Sequence, residues 1–166
     1  MAFALLVTKN DIVKYTAING NVDSDKFIQF VKISQDIHIQ NYLGTKLLNK
    51  IQADIIAGTL TGNYKSLVDV YVKPMLIHWS MVEYLPFAAY TIANKGVYKH
   101  NSENATNVDK NEVDFLLEKE RQIAQHYTER FISYMSFHRD LFPEYNSNNS
   151  EDMYPDTTNN FTGWFI

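Results

Sequence analysis

Cysteine is absent from the chain, which excludes disulfides, thiolate metal sites and cysteine nucleophiles together. Glycine is scarce as well. Six occur in 166 residues, and all read as turns or helix ends, so no phosphate-cradling glycine loop is present. Only Pro74, Pro86, Pro143 and Pro155 interrupt the chain, leaving long stretches free to be helical. There is no basic stripe either. The net charge is −4, and residues 1–142 are neutral, with 15 Lys/Arg against 15 Asp/Glu. The surplus lies beyond Pro143, where Glu144, Glu151, Asp152 and Asp156 stand without a base. The electrostatic footprint of a dedicated nucleic-acid binder is therefore missing. Met1–Val7 is apolar but too short for a signal-peptide core and has no basic region before it. Its expected place of synthesis and folding is the cytoplasm.

Apolar and aromatic residues are plentiful. The former make up 45% and the latter 14%, with 11 Tyr and 10 Phe. A chain of this length forms one domain with a real core. So many aromatics exceed what one helical core needs, and the excess is available to partners.

Helical periodicity and caps divide the chain into five expected helices, with little or no sheet. Thr8 followed by Asp11 starts a short helix over residues 9–16. Asp23 or Ser24 caps a second over 24–43, carrying Phe27, Phe30, Val31, Ile37 and Leu43 and closed by Gly44. Thr45 caps a third over 46–57, closed by Gly58. A fourth spans 64–94 and is apolar on nearly every side, so it belongs at the centre, kinked at Pro74 and Pro86. Met75–Ala93 has the length of a membrane span, but His78, Ser80, Glu83 and Pro86 argue against one. Residues 95–108 read as a polar surface loop. Asp109 then caps a last helix, 110–140, longer than its neighbours can cover, so part of it should project or pack on a neighbour. Phe30, Leu47, Ile51, Leu76, Leu85, Leu116 and Phe131 are the expected core.

The domain division places a helical body at 1–142 and an extended tail at 143–166. The tail holds a polar Asn146–Ser150 stretch, then Met153, Tyr154, Phe161, Trp164, Phe165 and Ile166. These six are the expected partner-binding residues, because they combine apolar area with residue types enriched at interface anchors. Fold-back of the tail on its own body is the competing reading.

Catalytic chemistry finds no support. The five histidines form no His-Glu-x-x-His pattern and no carboxylate cluster suited to a metal. No Gly-x-Ser-x-Gly elbow occurs. His78 and Glu83 are five residues apart on one helix, poorly placed to meet, and are expected to hydrogen-bond in or beside the core. Neither cofactor nor metal is expected.

Asp23-Ser24-Asp25-Lys26-Phe27, continuing to Asn41-Tyr42-Leu43-Gly44-Thr45, resembles the opening of head–tail connector (adaptor) proteins of tailed bacteriophages. Thr8–Tyr15 resembles their usual beginning. Lys73-Pro74-Met75-Leu76 and Glu83-Tyr84-Leu85-Pro86-Phe87 look like the form found in crAss-like phages of gut Bacteroides. The resemblance covers most of residues 8–140 and rests on helix-boundary signals. It implies a non-enzymatic virion protein at the head–tail neck: a ring subunit, commonly twelve-fold, binding the portal and adjacent tail or ring proteins. DNA would pass through its channel during packaging and ejection without sequence-specific contact, and no membrane is involved. Another helical binding module, such as a tail-completion or regulatory protein, is the alternative.

Overall fold

The computed structural model describes residues 3–18, 22–88, 90–93, 96–99, 109–148 and 152–158. The fold is all-α, a helical bundle with a long helix near its C-terminus. Helix α1 is Lys9–Tyr15, opened by a reciprocal capping box in which Thr8 Oγ1 accepts from Asp11 N–H and Asp11 Oδ2 accepts from Thr8 N–H. Helix α2 runs over 24–43. It comprises Ser24–Ser34, a π turn at Gln35–Ile39 and a last turn Gln40–Leu43. Helix α3 is Thr45–Ala57, and α4 runs over 62–84 as Gly62–Leu67, a π turn Val68–Val72 and Lys73–Tyr84. Helix α5 is Lys110–His138, again with a capping box, here between Asp109 and Glu112. A short α6, Pro143–Asn146, follows.

Helix α4 is the central element, as its all-round apolarity requires. Val72, Met75, Leu76, Ile77, Trp79, Met81 and Val82 are buried between α2 and α5. Of the expected core, Phe30, Leu47, Ile51, Leu76 and Phe131 are buried, and Leu85 is partly so. Leu116 is not; it lies 46% exposed on the first half of α5. The sequence pattern is apolar along the whole helix, but α5 buries only Ala124, Thr128, Phe131, Ile132 and Met135, all in its second half.

The two prolines act differently. At Pro74 the helix passes through a widened turn in which Lys73 N–H reaches Val68 O, so the register shifts just before the residue that has no N–H to give. Pro86 ends the helix instead of kinking it. A 3₁₀ turn, Leu85–Phe87, follows, and the expected helix to residue 94 is replaced by a hairpin of β1 (Tyr90–Ala93) and β2 (Gly96–Lys99). Tyr90 pairs with Lys99 and Ala93 with Gly96, antiparallel. Tyr-Thr-Ile and Val-Tyr suit strands once proline has stopped the helix.

The arm before α1 bends at Leu6 and Val7 and is clamped. Leu6 and Val7 are buried, and the amide of buried Gln35 grips the arm's backbone. Its Oε1 accepts from Leu6 N–H at 3.0 Å and its Nε2 donates to Ala4 O at 2.9 Å. Gln52 Nε2 donates to the same carbonyl at 3.2 Å.

Candidate assembly surface

A one-residue link between α2 and α3 forces a corner at Gly44. Its φ is +76°, and a side chain there would lie 2.7 Å from Pro155 Cγ, so glycine is required twice over. Glycine also supplies no side-chain cap, leaving the first N–H groups of α3 in need of acceptors. The tail provides them. Thr45 N–H donates to Met153 O at 3.0 Å, and Lys46 N–H donates to Asn148 Oδ1 at 2.8 Å. Met153 N–H donates to Thr45 Oγ1 at 2.9 Å, and Asp156 N–H to Asn41 O at 2.8 Å. Thr45 is thus the first residue of α3 and not its cap, and its hydroxyl serves the tail.

Residues 143–148 and 152–158 accordingly form a strap on the body. Phe142, Tyr145, Asn148 and Pro155 are buried. Contacts with the body run past residue 142 as far as Asp156. Tyr64 Oη–H donates to Glu144 Oε2 at 2.6 Å, and burial together with that acceptor pushes its pKa up to about 12. Of the expected partner-binding residues, Met153 is half-buried with both backbone groups engaged, and Tyr154 is 62% exposed. Phe161, Trp164, Phe165 and Ile166 lie outside the described residues. Asn148→Ala removes the acceptor for Lys46 N–H and should cost about 1 kcal/mol, the usual worth of a helix cap. Urea titration of the two proteins checks this; equal midpoints would mean that the contact contributes nothing.

Large apolar side chains remain uncovered along α5. Phe115 (62% exposed), Leu116 and Ile123 lie on its first half, and Phe137 (84% exposed) and Leu141 at and just beyond its other end. A cleft of about 520 Å³ opens beside the helix, lined by Tyr15, Asp69, Lys73, Ile77, His78 and Tyr127 among others. Lys65 and Lys73 both donate to Asp69, which holds its pKa below the usual carboxylate range.

Residues 39–154 match a family of unknown function, DUF6712. The chain belongs to that family. The DUF6712 match begins within the π turn of α2 and ends at Tyr154, so it takes in the corner and the first part of the strap that caps it. No curated protein and no solved structure matches the chain.

Polar side chains at the core tie the helices together. His78 and Glu83 do not meet; each finds a partner on another helix. His78 Nδ1 is 2.7 Å from Glu120 on α5, and His38 Nε2 on α2 is 2.9 Å from Glu83. The His38 ring also stacks on Trp79, with centroids 4.0 Å apart, and Trp79 Nε1–H donates to Thr128 Oγ1 at 3.0 Å. Among the described residues no three metal-ligating side chains converge, and no helix is long and apolar enough to cross a membrane. Sequence reasoning missed His38, Trp79 and Thr128 as one unit. Only the polar residues interrupting apolar stripes hinted at it.

Burial lowers the pKa of His38 from its ordinary 6.5, outweighing the hydrogen bond and charge of Glu83, which raise it. The unfolded chain therefore takes up this proton at higher pH than the folded one. The stabilisation is complete above about pH 6.5 and declines as the pH falls below it. Denaturation midpoints measured from about pH 7.5 down to 5 should fall, and His38→Gln should flatten that slope. An unchanged slope in the variant would assign the effect elsewhere.

Proposed function

We propose that this chain is a structural subunit of a phage virion, one member of a head–tail connector ring that binds the portal and extends the DNA channel towards the tail. The observation carrying the reading is the one-sided burial of α5. A helix of about 43 Å has no fully buried side chain before Ala124, and bears Phe115, Leu116, Ile123 and Phe137 on the outside. Apolar residues that large, spread along a rod, suit contact with other chains. The resemblance carried by the α1–α3 segment supplies the class of assembly, and the charge-balanced body suits a conduit that must not hold the phosphate backbone.

The role is non-catalytic and its place is the neck of the particle, with neighbouring copies, the portal and adjacent tail proteins as partners. Electron cryomicroscopy of purified virions is the test. A ring of this fold beneath the portal is the expected result. Finding the protein only at the tail tip, or only free in the infected cell, would replace the reading with a tail-completion or regulatory role.

A further inference from the structure

We infer that the chain beyond Thr158 docks on its own body, laying Phe161, Trp164, Phe165 and Ile166 along the outer face of α2 and into an apolar cleft at the start of that helix. The inference stands apart from the ring reading.

The strap already heads in that direction. Met153 O accepts from Thr45 N–H, and three residues later Asp156 N–H donates to Asn41 O. The strap thus passes the first residue of α3, then the last turn of α2, and runs back along α2 towards its start. Pro155, seated against Gly44, fixes this course at the corner. Ahead of it lies an exposed ridge. Residues 28, 29, 32, 33, 36, 37, 40 and 41 form the outer face of α2 and recur at helical spacing. On this face Ile28, Ile33 and Ile37 are 50%, 39% and 54% exposed. Three isoleucines on the solvent side of one helix make an apolar row suited to cover by another segment. The two charged residues on the ridge, Lys32 and Asp36, are paired with each other.

At its far end the ridge meets a cleft between the arm, α1 and α2. Leu5, Val7, Ile12, Ile18, Phe27 and Ile28 are among its walls, and Ile28 belongs to ridge and cleft alike. The cleft holds about 40 Å³, room for one apolar side chain and not for a helix. An extended segment with a single anchor fits such a site. The chain after Asp156 has the matching chemistry. It carries no charged residue and four large apolar ones, so it can cover the isoleucines without stripping water from an ion. Its length suffices as well. Asn41 to Ile28 is about 20 Å of helix, and the residues from Asp156 to Ile166 span up to about 33 Å when extended. Tethering by the strap makes the contact intramolecular, which raises the local concentration of the segment at the ridge.

The absence of cysteine lets an introduced pair report the contact. In full-length protein, Ile28→Cys with Gly163→Cys puts one thiol at the end of the ridge and the other among the aromatic residues. Ile56→Cys with Gly163→Cys is the comparison. Ile56 is as exposed as Ile28 and lies about 17 Å along α3 from the corner, so an undocked segment would reach it at least as readily. In dilute protein with oxidised glutathione, the Ile28 pair should close within one chain about tenfold faster than the Ile56 pair. Adding Trp164→Ser and Phe165→Ser should abolish that advantage. Equal rates for the two pairs, or disulfides formed only between chains, overturn the inference. So does an advantage that survives the two serine substitutions. Should Ile28→Cys fail to fold, Ile33→Cys takes its place, and loss or survival of fast closure in the serine background decides.

Discussion

A chain ended after Phe142 should melt about 6–12 °C below one ended after Thr158. Ending at residue 142 removes buried Tyr145 and Pro155, the Tyr64–Glu144 hydrogen bond and every acceptor the strap gives to α3. Burying one large side chain contributes about 1.5–3 kcal/mol, and a helix cap about 1 kcal/mol. Ordering the strap costs conformational entropy, which the shorter chain no longer bears. A net loss on the order of 3 kcal/mol remains, and for a chain of this size each kcal/mol moves the melting temperature by about 2–4 °C. Phe142 would also lose its cover. Equal melting of the two truncated proteins would show that the strap lies on the body without stabilising it.

Trp79→Ala should cost about 3–5 kcal/mol, the range for deleting a large buried aromatic. Trp79 joins three helices: it sits on α4, stacks on His38 of α2 and donates to Thr128 of α5. Removing it opens a cavity, leaves one face of His38 without its stack and deprives Thr128 Oγ1 of a donor. Thr128 would still donate its own proton to Ala124 O at 2.8 Å, so its hydroxyl is not stranded. For that reason Trp79→Phe should be much milder, about 1–2 kcal/mol, since it keeps most of the packing and loses one hydrogen bond. Guanidinium titrations of both variants decide the point. A cost below about 1 kcal/mol for the alanine variant would mean that this node is not central to the core.

These expectations bear on how far the sequence alone could be read. Helix starts were legible wherever a cap is local: Thr8 with Asp11, Asp23 with Asp25, and Asp109 with Glu112 each act within three residues. Gly44 and Gly58 ended helices for the same reason. Helix α4 stood out as central because it is apolar on every side. The candidate surface was less legible. Leu116 has the spacing of a core residue and lies outside, because whether a helix face is covered depends on where other helices stop.

What the sequence determined by itself is the helical class, the position of most helix ends and the central place of α4, because capping and periodicity act over a few residues. The tertiary structure alone decided the rest. It matched His38 with Glu83 and His78 with Glu120, across 45 and 42 residues respectively. It used the tail to cap α3, with Lys46 and Asn148 separated by 102 positions. It left Phe115, Leu116 and Ile123 exposed on the first half of α5. Such pairings follow from which buried donors and acceptors remain unsatisfied after the helices have packed, and that is set by the geometry of the whole bundle and not by any short stretch of chain.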